Sequence, residues 1–340
     1  MKKGDMAMAE FERAYNDFMT KYELARAEIG KIVVGLDDFI RDVFVVILGR
    51  GHLLLESAPG LGKTTAIEAI ASTIDAYFVK TTFNANLMPD DLTHMTYPHE
   101  IGLKIDRGPL LDAEIFFANE LNRGPEKTQS YLMSAMEEGQ SYYRGELIKL
   151  PDFRCVIADI NPVETTGTYQ IPEALAERFM LKQRINFPEH ADLAKIVASS
   201  EDRKIYDVPI NKVFSTEELL KFAKKIFELY RIYSHERSWL VGYSSAIVEW
   251  IRESGFVVLD TENFPASPSP RGAEDIKAVS RLYAFFDGEP IILPKHVKRA
   301  AYPALRGKFF LNRDAIAEKL THDEIIAAAL NKVPISGVRQ

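Results

Sequence analysis

Residues His52–Ala71 read HLLLESAPGLGKTTAIEAIA, and this stretch decides the fold. Leucines lead into Glu56, a loop of small residues follows, and a segment with helical periodicity begins after Lys63-Thr64. This order predicts a strand, a phosphate-binding loop and a helix. We expect the N–H groups of the loop and the positive end of the helix to hold nucleotide phosphates. Lys63 would reach the terminal phosphates, and the Thr64 hydroxyl would face Mg²⁺.

The loop departs from the general phosphate-loop pattern at one position. The pattern G-x-x-x-x-G-K-[ST] places its first glycine five residues before Gly62, where this chain has Ser57. The alternative is a glycine-containing turn before an ordinary helix. The strand before the loop and the helix after it favour the phosphate loop.

Length and composition describe an ordinary globular protein. The 340 residues suggest two domains, and 46% hydrophobic with 27% charged residues is a usual balance. The net charge of −7 argues against non-specific nucleic-acid binding as the main role. The only cysteine, Cys155, lies in an apolar run, which predicts core packing in a reducing compartment. No apolar segment suggests a signal peptide or a membrane span, so we expect a cytoplasmic protein without membrane insertion.

Strands and helices alternate up to about residue 188 and helices dominate afterwards. Apolar residues at helical spacing over 8–30 predict a helix, for which packing on the core is favoured over partner binding. Further elements are strands at 77–83, 113–118, 153–158 and 182–187, hairpins at 93–105 and 140–150, a helix opened by Pro172 that carries Glu177-Arg178-Phe179, and a capping box at Ser215–Glu218. The predicted fold class is α/β, with a parallel sheet covered on both faces and a helical second domain.

Polar residues follow two buried strands of this predicted sheet. Glu120 stands where a carboxylate would orient the water that attacks ATP. The residue before it is Asn119, in a place where an aspartate commonly supports the hydrated Mg²⁺, and asparagine has no negative charge. Asn161, before Pro162, would hold the water or the terminal phosphate. A polar strand end and an Asn-Pro turn are the alternatives.

Two arginines are candidates for stabilising charge on the phosphoryl oxygens, namely Arg178 and Arg271. The alternative for each is a solvated surface charge or a local ion pair.

The motifs together resemble a known family. SAPGLGKTT, FFANELNR, KTQSYLMSAMEEGQ, IADINP, GTYQIPEALAERF and SPR resemble, in this order, the MoxR family of AAA+ ATPases from about residue 30 to residue 310. The resemblance implies an αβα nucleotide-binding domain with a P-loop and parallel sheet, followed by an all-helical lid domain. It also implies a homo-oligomeric ring, usually a hexamer, with ATP and Mg²⁺ between subunits. The implied division is an N-terminal helical segment 1–30, an ATPase core 31–188 and a lid 189–335.

The resemblance assigns roles residue by residue. Glu120 matches the catalytic glutamate, Asn161 the first sensor, Arg178 the arginine finger that acts on the neighbouring subunit, and Arg271 the second sensor. The implied cofactor-binding residues are Val34, Gly35, Pro59, Gly60, Leu61, Gly62, Lys63, Thr64 and Thr65, and Thr64 with Asn119 would hold Mg²⁺, the latter through water. The hairpins match insertions that face the central pore or the substrate.

The sequence departs from the family pattern at three positions. Ser57 replaces the first loop glycine, Asn119 replaces the aspartate that supports Mg²⁺, and Glu177 stands where an aspartate usually precedes the arginine finger. Because Asn119 removes a charge, it affects the expected hydrolysis more than the expected nucleotide binding.

The resemblance implies a chaperone-like remodeller of protein substrates. Such proteins often work with a separate polypeptide that bears a von Willebrand factor A domain. Two alternatives remain at this point. One is a nucleotide-binding assembly switch with little hydrolysis, favoured by Asn119. The other is a DNA-directed motor, disfavoured by the acidic charge and left open by the basic residues Lys80, Lys104, Arg107 and Arg144.

Overall fold

The computed structural model describes residues 3–99, 102–143, 145–162, 167–198, 208–232, 237–261, 264–265 and 268–335. The helices are α1 Lys3–Ile29, α2 Asp37–Leu48, α3 Lys63–Ser72, α4 Pro89–Thr93, α5 Pro109–Asp112, α6 Glu126–Glu138, α7 Glu173–Ala176, α8 His190–Ala198, α9 Thr216–Ile232, α10 Arg237–Glu253, α11 Pro270–Phe286, α12 Pro294–Leu305, α13 Arg313–Ala317 and α14 His322–Lys332. The strands are β1 Leu53–Ser57, β2 Ile74–Asp75, β3 Phe78–Thr82, β4 His94–His99, β5 Gly102–Arg107, β6 Ile115–Asn119, β7 Gln140–Tyr143, β8 Glu146–Lys149, β9 Cys155–Ile160, β10 Leu181–Ile185, β11 Phe214–Ser215, β12 Leu259–Thr261 and β13 Phe264–Pro265.

The chain divides into two compact units. One comprises Thr20–Arg178 with Gln183–Leu220, and the other comprises Met1–Met19, Phe179–Lys182 and Lys221–Gln340, each within the described ranges. These units follow spatial packing. The functional division into 1–30, 31–188 and 189–335 stays a prediction.

A five-stranded sheet organises the first unit, in the order β10-β1-β9-β6-β3. The pairs β1–β9, β9–β6 and β6–β3 are parallel. Leu53–Leu55, Ile115–Ala118 and Cys155–Ala158 are buried, as expected for strands covered on both faces. Since these parallel strands share one carboxyl edge, the loop after β1 and the residues after β6 and β9 meet there. The predicted α/β class is confirmed.

The second unit is helical over most of its length, as predicted for the C-terminal region. Its core contains an aromatic cluster in which the ring of Phe18 lies 5.3 Å from that of Phe222 and 5.6 Å from that of Phe285. It also encloses an ion pair, with Lys308 Nζ 2.6 Å from Asp275 Oδ2. Lys308 is fully buried, and removing Asp275 would take away an ion-pair partner of a buried charge.

Most local predictions are confirmed, with shifted ends. The helix expected at 8–30 is α1, and the capping box is present, because Ser215 Oγ accepts from the Glu218 N–H at 3.1 Å. The hairpins are antiparallel pairs of β4 with β5 and β7 with β8. Residues 100, 101 and Arg144, which belong to these hairpins, lie outside the described ranges.

The predicted helix after Pro172 was wrong in its length. Helix α7 ends at Ala176, and Glu177 caps it. Arg178 therefore lies in the turn between α7 and β10. The chain leaves the helix early because Phe179 and Leu181 are buried where β10 begins.

In the part of the chain that the structure describes, no helix has the length and apolar character needed to span a membrane. Cys155 begins β9 and is buried without a disulfide. Burial raises the pKa of its thiol to about 12.

Candidate nucleotide-binding site

The loop between β1 and α3 has the open, glycine-dependent backbone expected of a phosphate cradle. Gly60 and Gly62 have φ values of 82° and 73°, and Gly62 is the N-cap of α3. Apart from the adjacent residues of the chain, no described residue has a heavy atom within 4 Å of a Cβ added at either position. Their glycine identity therefore follows from the left-handed backbone, which leaves space for a ligand. Ser57, before the loop, is buried, and its hydroxyl has no hydrogen-bond partner among the described residues.

Lys63 forms an ion pair with Asp159 of β9. Asp159 is fully buried, and its second oxygen, Oδ1, accepts the backbone N–H of Glu120 at 2.7 Å. One carboxylate thus connects the phosphate loop to the end of β6. The sequence interpretation missed Asp159. The available signal was an acidic residue inside the apolar run of β9, where a charge requires a partner.

The end of β6 has an unusual backbone. Glu120 has φ 57° and ψ 46°, a left-handed conformation that costs a non-glycine residue about 1–2 kcal/mol. The hydrogen bond to Asp159 compensates part of this cost. The Glu120 side chain is partly exposed and forms a 3.0 Å ion pair with Arg123. The Asn119 side chain is directed to β3, on the side of β6 away from β9, where its Nδ2 donates to Thr82 Oγ1 at 3.2 Å.

Asn161 directly follows β9 and is 9% exposed. Because β9 lies between β1 and β6, the structure brings Asn161, Glu120 and the phosphate loop to the same edge of the sheet. The two polar residues predicted to follow the buried strands, Glu120 and Asn161, therefore lie at the same edge of the sheet as the phosphate loop.

An apolar slot of about 250 Å³ opens beside the phosphate loop. Its lining combines the loop, the segment before α2 and the segment around α8: Ile32, Val33, Val34, Leu36, Gly60, Leu61, Gly62, Thr65, Asn186, Phe187, Pro188, Leu193 and Ile196. An apolar slot with a single amide side chain suits a nucleotide base. The predicted Val34 lies in this lining. The residues after β10 were missed, although the exposed Phe187 and the apolar residues of α8 were visible in the sequence.

The predicted arginines lie in different units. Arg178 forms an ion pair with Glu137 of α6, and its Nε is buried with no hydrogen-bond partner among the described residues. Arg271 lies in the first turn of α11 in the second unit. Burial raises the pKa of Asp275, one turn further along the helix, to about 6, and the charges of Lys308 and, more weakly, Arg271 act against this rise.

A family model of the ATPase family associated with various cellular activities (AAA) matches residues 52–181, the segment that contains the phosphate loop and the polar ends of β6 and β9. Residues 52–181 are an AAA ATPase domain. The chain is therefore an ATP hydrolase that binds nucleotide.

Whole-chain comparisons agree with this AAA ATPase assignment. The chain is 28% identical to Chaperone MoxR1 of Mycobacterium tuberculosis, over 93% of this chain and 82% of that protein. It is 27% identical to Protein MoxR of Methylorubrum extorquens, over 89% of each. The crystal structure of a candidate ATPase from Cytophaga hutchinsonii superposes with a TM-score of 0.84 and 27% identity, covering 99% of this chain and 100% of that one. The predicted resemblance to MoxR proteins is confirmed.

The site of the ATPase fits a hydrated Mg²⁺, the ion that typically accompanies nucleotide in this fold. Asp159 Oδ2 is buried and meets the Lys63 ammonium but no other donor among the described residues. Thr64 lies in the first turn of α3. A single carboxylate, a hydroxyl and phosphate oxygens form the kind of ligand set that Mg²⁺ uses, since this ion keeps several of its waters.

Proposed function

We propose that this chain assembles into a homo-oligomeric ring, with a hexamer as the expected size. In this ring it hydrolyses MgATP at the subunit interfaces and remodels partner proteins. One observation carries the nucleotide part of the proposal: the Lys63–Asp159–Glu120 connection stands beside an apolar slot at one edge of the sheet. The base would occupy the slot, and the phosphates would lie on the loop. In this position Lys63 exchanges its carboxylate partner for the phosphates.

The residues at this edge of the sheet have separate roles in hydrolysis. Glu120 orients the attacking water and receives its proton, and Asn161 holds the water or the terminal phosphate. Bound Mg²⁺ neutralises charge on the phosphates. Pro59 to Leu61 supply backbone N–H groups, and Arg178 and Arg271 stabilise the transferred phosphoryl group.

Arg178 acts on the ATP of the neighbouring subunit in this proposal. Its Nε is buried and has no hydrogen-bond partner among the described residues, and its guanidinium forms an ion pair with Glu137. Arg178→Ala should abolish hydrolysis and leave ATP binding unchanged. Glu137→Gln is the matched control, because it removes the same ion pair without removing the arginine. If Glu137→Gln also abolished hydrolysis, Arg178 would have only a local structural role.

Mixed subunits test whether the site is shared. Lys63→Ala and Arg178→Ala are each expected to be inactive alone. In a ring of heterologous interfaces, random mixing places intact Lys63 opposite intact Arg178 at about a quarter of the sites. ATPase activity should therefore reappear on mixing and reassembly. A mixture as inactive as its components would overturn the interface arrangement, while loss of ATP binding in Lys63→Ala alone would still support the nucleotide site.

Remodelling is supported by the chaperone description of the MoxR1 relative and by the two hairpins of β4–β5 and β7–β8. A separate protein with a von Willebrand factor A domain is the proposed partner type, and the proposed location is cytoplasmic. Two of the basic residues that left a DNA motor open, Lys80 and Arg107, have acidic partners within the described part of the chain. Lys80 pairs with Glu68 at 3.2 Å and Arg107 with Asp112 at 2.8 Å, so these two charges are locally balanced.

A further inference from the structure

Asn119 and Asp159 occupy adjacent places on neighbouring strands. Strands β6 and β9 pair in register up to Ala118 and Ala158, and the two residues are the next on each strand. They are thus separated by one strand spacing, about 4.8 Å. Asp159 also pairs in register with Leu55 of β1, the strand that leads into the phosphate loop. A carboxylate on β9 therefore lies one strand closer to the loop than a carboxylate at position 119 would.

The side chain of Asn119 is engaged on the opposite side. Its amide donates to Thr82 of β3, the register partner of Asn119, and β3 lies on the side of β6 away from β9. Asn119 thus contributes no charge, and its amide is held toward the outer strand. Asp159 supplies a fully buried negative charge at this edge, and the sequence interpretation did not assign it any role.

Asp159 has the contacts expected of a group that supports a cation. It is fully buried, and among the described residues its Oδ2 meets only the Lys63 ammonium. A fully buried carboxylate that loses its positive partner is strongly destabilising. With Lys63 on the phosphates, Asp159 would lose its present partner, and its Oδ2 would be placed to support the hydrated Mg²⁺ bound with the nucleotide.

We propose that Asp159 has taken over the metal-supporting role that Asn119 has lost, so that the carboxylate has moved from β6 to β9. Asp159 is a positioning residue: it holds the waters of Mg²⁺ through Oδ2 and the backbone of Glu120 through Oδ1. This inference rests on the proposed MgATP site, and it explains how the chain hydrolyses ATP with an asparagine at the end of β6.

The test measures the affinity of the full chain for Mn²⁺ in the presence of a non-hydrolysable ATP analogue. Electron paramagnetic resonance reports the bound Mn²⁺. The variants are Asp159→Asn, Asn119→Asp and the double exchange. Asp159→Asn keeps an oxygen for the Glu120 N–H and removes only the charge. Loss of an outer-shell partner typically weakens metal affinity about 10- to 100-fold, so we expect a loss of about tenfold or more. The double exchange should restore the affinity, because the charge returns on the adjacent strand.

Nucleotide affinity in EDTA separates this inference from the proposed function. If the analogue binds neither with Mg²⁺ nor in EDTA, the nucleotide site itself is wrong. If the analogue binds normally and Asp159→Asn leaves Mn²⁺ affinity unchanged, only the role of Asp159 is overturned. The single Asn119→Asp variant decides the matter even if Asp159→Asn fails to fold. A site already supplied by Asp159 gains little from a second carboxylate, whereas a tenfold gain in Mn²⁺ affinity would show that the support was missing.

Discussion

Gly35 lies so close to Asp192 that a Cβ at position 35 would stand 2.7 Å from Asp192 Oδ2. Gly35 also has φ 77°, a backbone conformation that L side chains rarely adopt. This contact joins the segment before α2 to helix α8, and both contribute to the lining of the apolar slot. The glycine that the resemblance assigned to the adenine border therefore acts by permitting close packing of the two walls.

Gly35→Ala should lower both stability and ATP affinity. The left-handed backbone alone costs about 1–2 kcal/mol with a Cβ present, and Asp192 must move. Urea denaturation and nucleotide titration measure the two effects. Gly242→Ala, in α10 with open space around its Cβ position, is the control and should be neutral or stabilising. An unchanged ATP affinity in Gly35→Ala would contradict the spacing role.

Lys63→Met should destabilise the nucleotide-free protein as well as abolish ATP binding. The substitution leaves the fully buried Asp159 without its ion-pair partner, which costs about 3 kcal/mol. Adding Asp159→Asn should recover most of that loss, and a double-mutant cycle measures the coupling by urea denaturation. Purely additive effects of the two substitutions would show that the ion pair contributes nothing to folding.

Leu193→Ala should weaken ATP binding without affecting the phosphate cradle. Leu193 lines the slot, and losing its apolar contact with a base costs about 1 kcal/mol, a factor of about five in affinity. Tripolyphosphate has no base, so its own affinity for the site, measured by competition with ATP, should be the same in Leu193→Ala as in the unmodified protein. Val197→Ala is the control, because Val197 is 62% exposed on the same helix and outside the slot lining. Equal effects of the two substitutions would argue against base binding in the slot.

His52 should make the protein less stable in acid. Its Nδ1 accepts the Val156 N–H at 3.0 Å, and burial, followed by the Arg154 charge, lowers the pKa of His52 from 6.5 to about 4. The unfolded chain therefore binds a proton at His52 before the folded chain does. Stability from this residue is complete above pH 6.5 and is lost as the pH falls toward 4, by about 3 kcal/mol in total.

Urea denaturation at several pH values checks this prediction. His52→Gln should flatten the dependence of the unfolding free energy between pH 6.5 and 4. The same substitution at the exposed His190 should leave the dependence as it is. A slope that His52→Gln does not change would assign the acid sensitivity to other groups.

Local chemistry made much of this architecture predictable. The phosphate loop, the buried strands and the capping box at Ser215 depend on neighbours along the chain, and all are present. Asp159 was not predicted because its partners are distant in sequence: Lys63 begins α3, and Glu120 follows the end of β6. Helix α7 was predicted too long because the burial of Phe179, rather than its local propensity, decides where the helix ends.

The slot was predicted only in part for the same reason. Val34 and Gly35 precede the loop and could be assigned through the resemblance, whereas Phe187 and Leu193 come from a segment more than a hundred residues further along the chain. Their apolar character was visible, but their approach to the loop depends on the position of β10 beside β1.

The burial of Cys155 has a practical consequence for labelling this ATPase with fluorescent reporters of conformational change. The chain has no other cysteine, and the thiolate of Cys155 is strongly disfavoured by its surroundings. Maleimide dyes should therefore ignore the native thiol in the folded protein. A cysteine introduced on an exposed position, such as Val197, would be the only reactive one. Fluorescent reporters can thus be attached at chosen sites on the natural background, without first removing a residue from the central sheet.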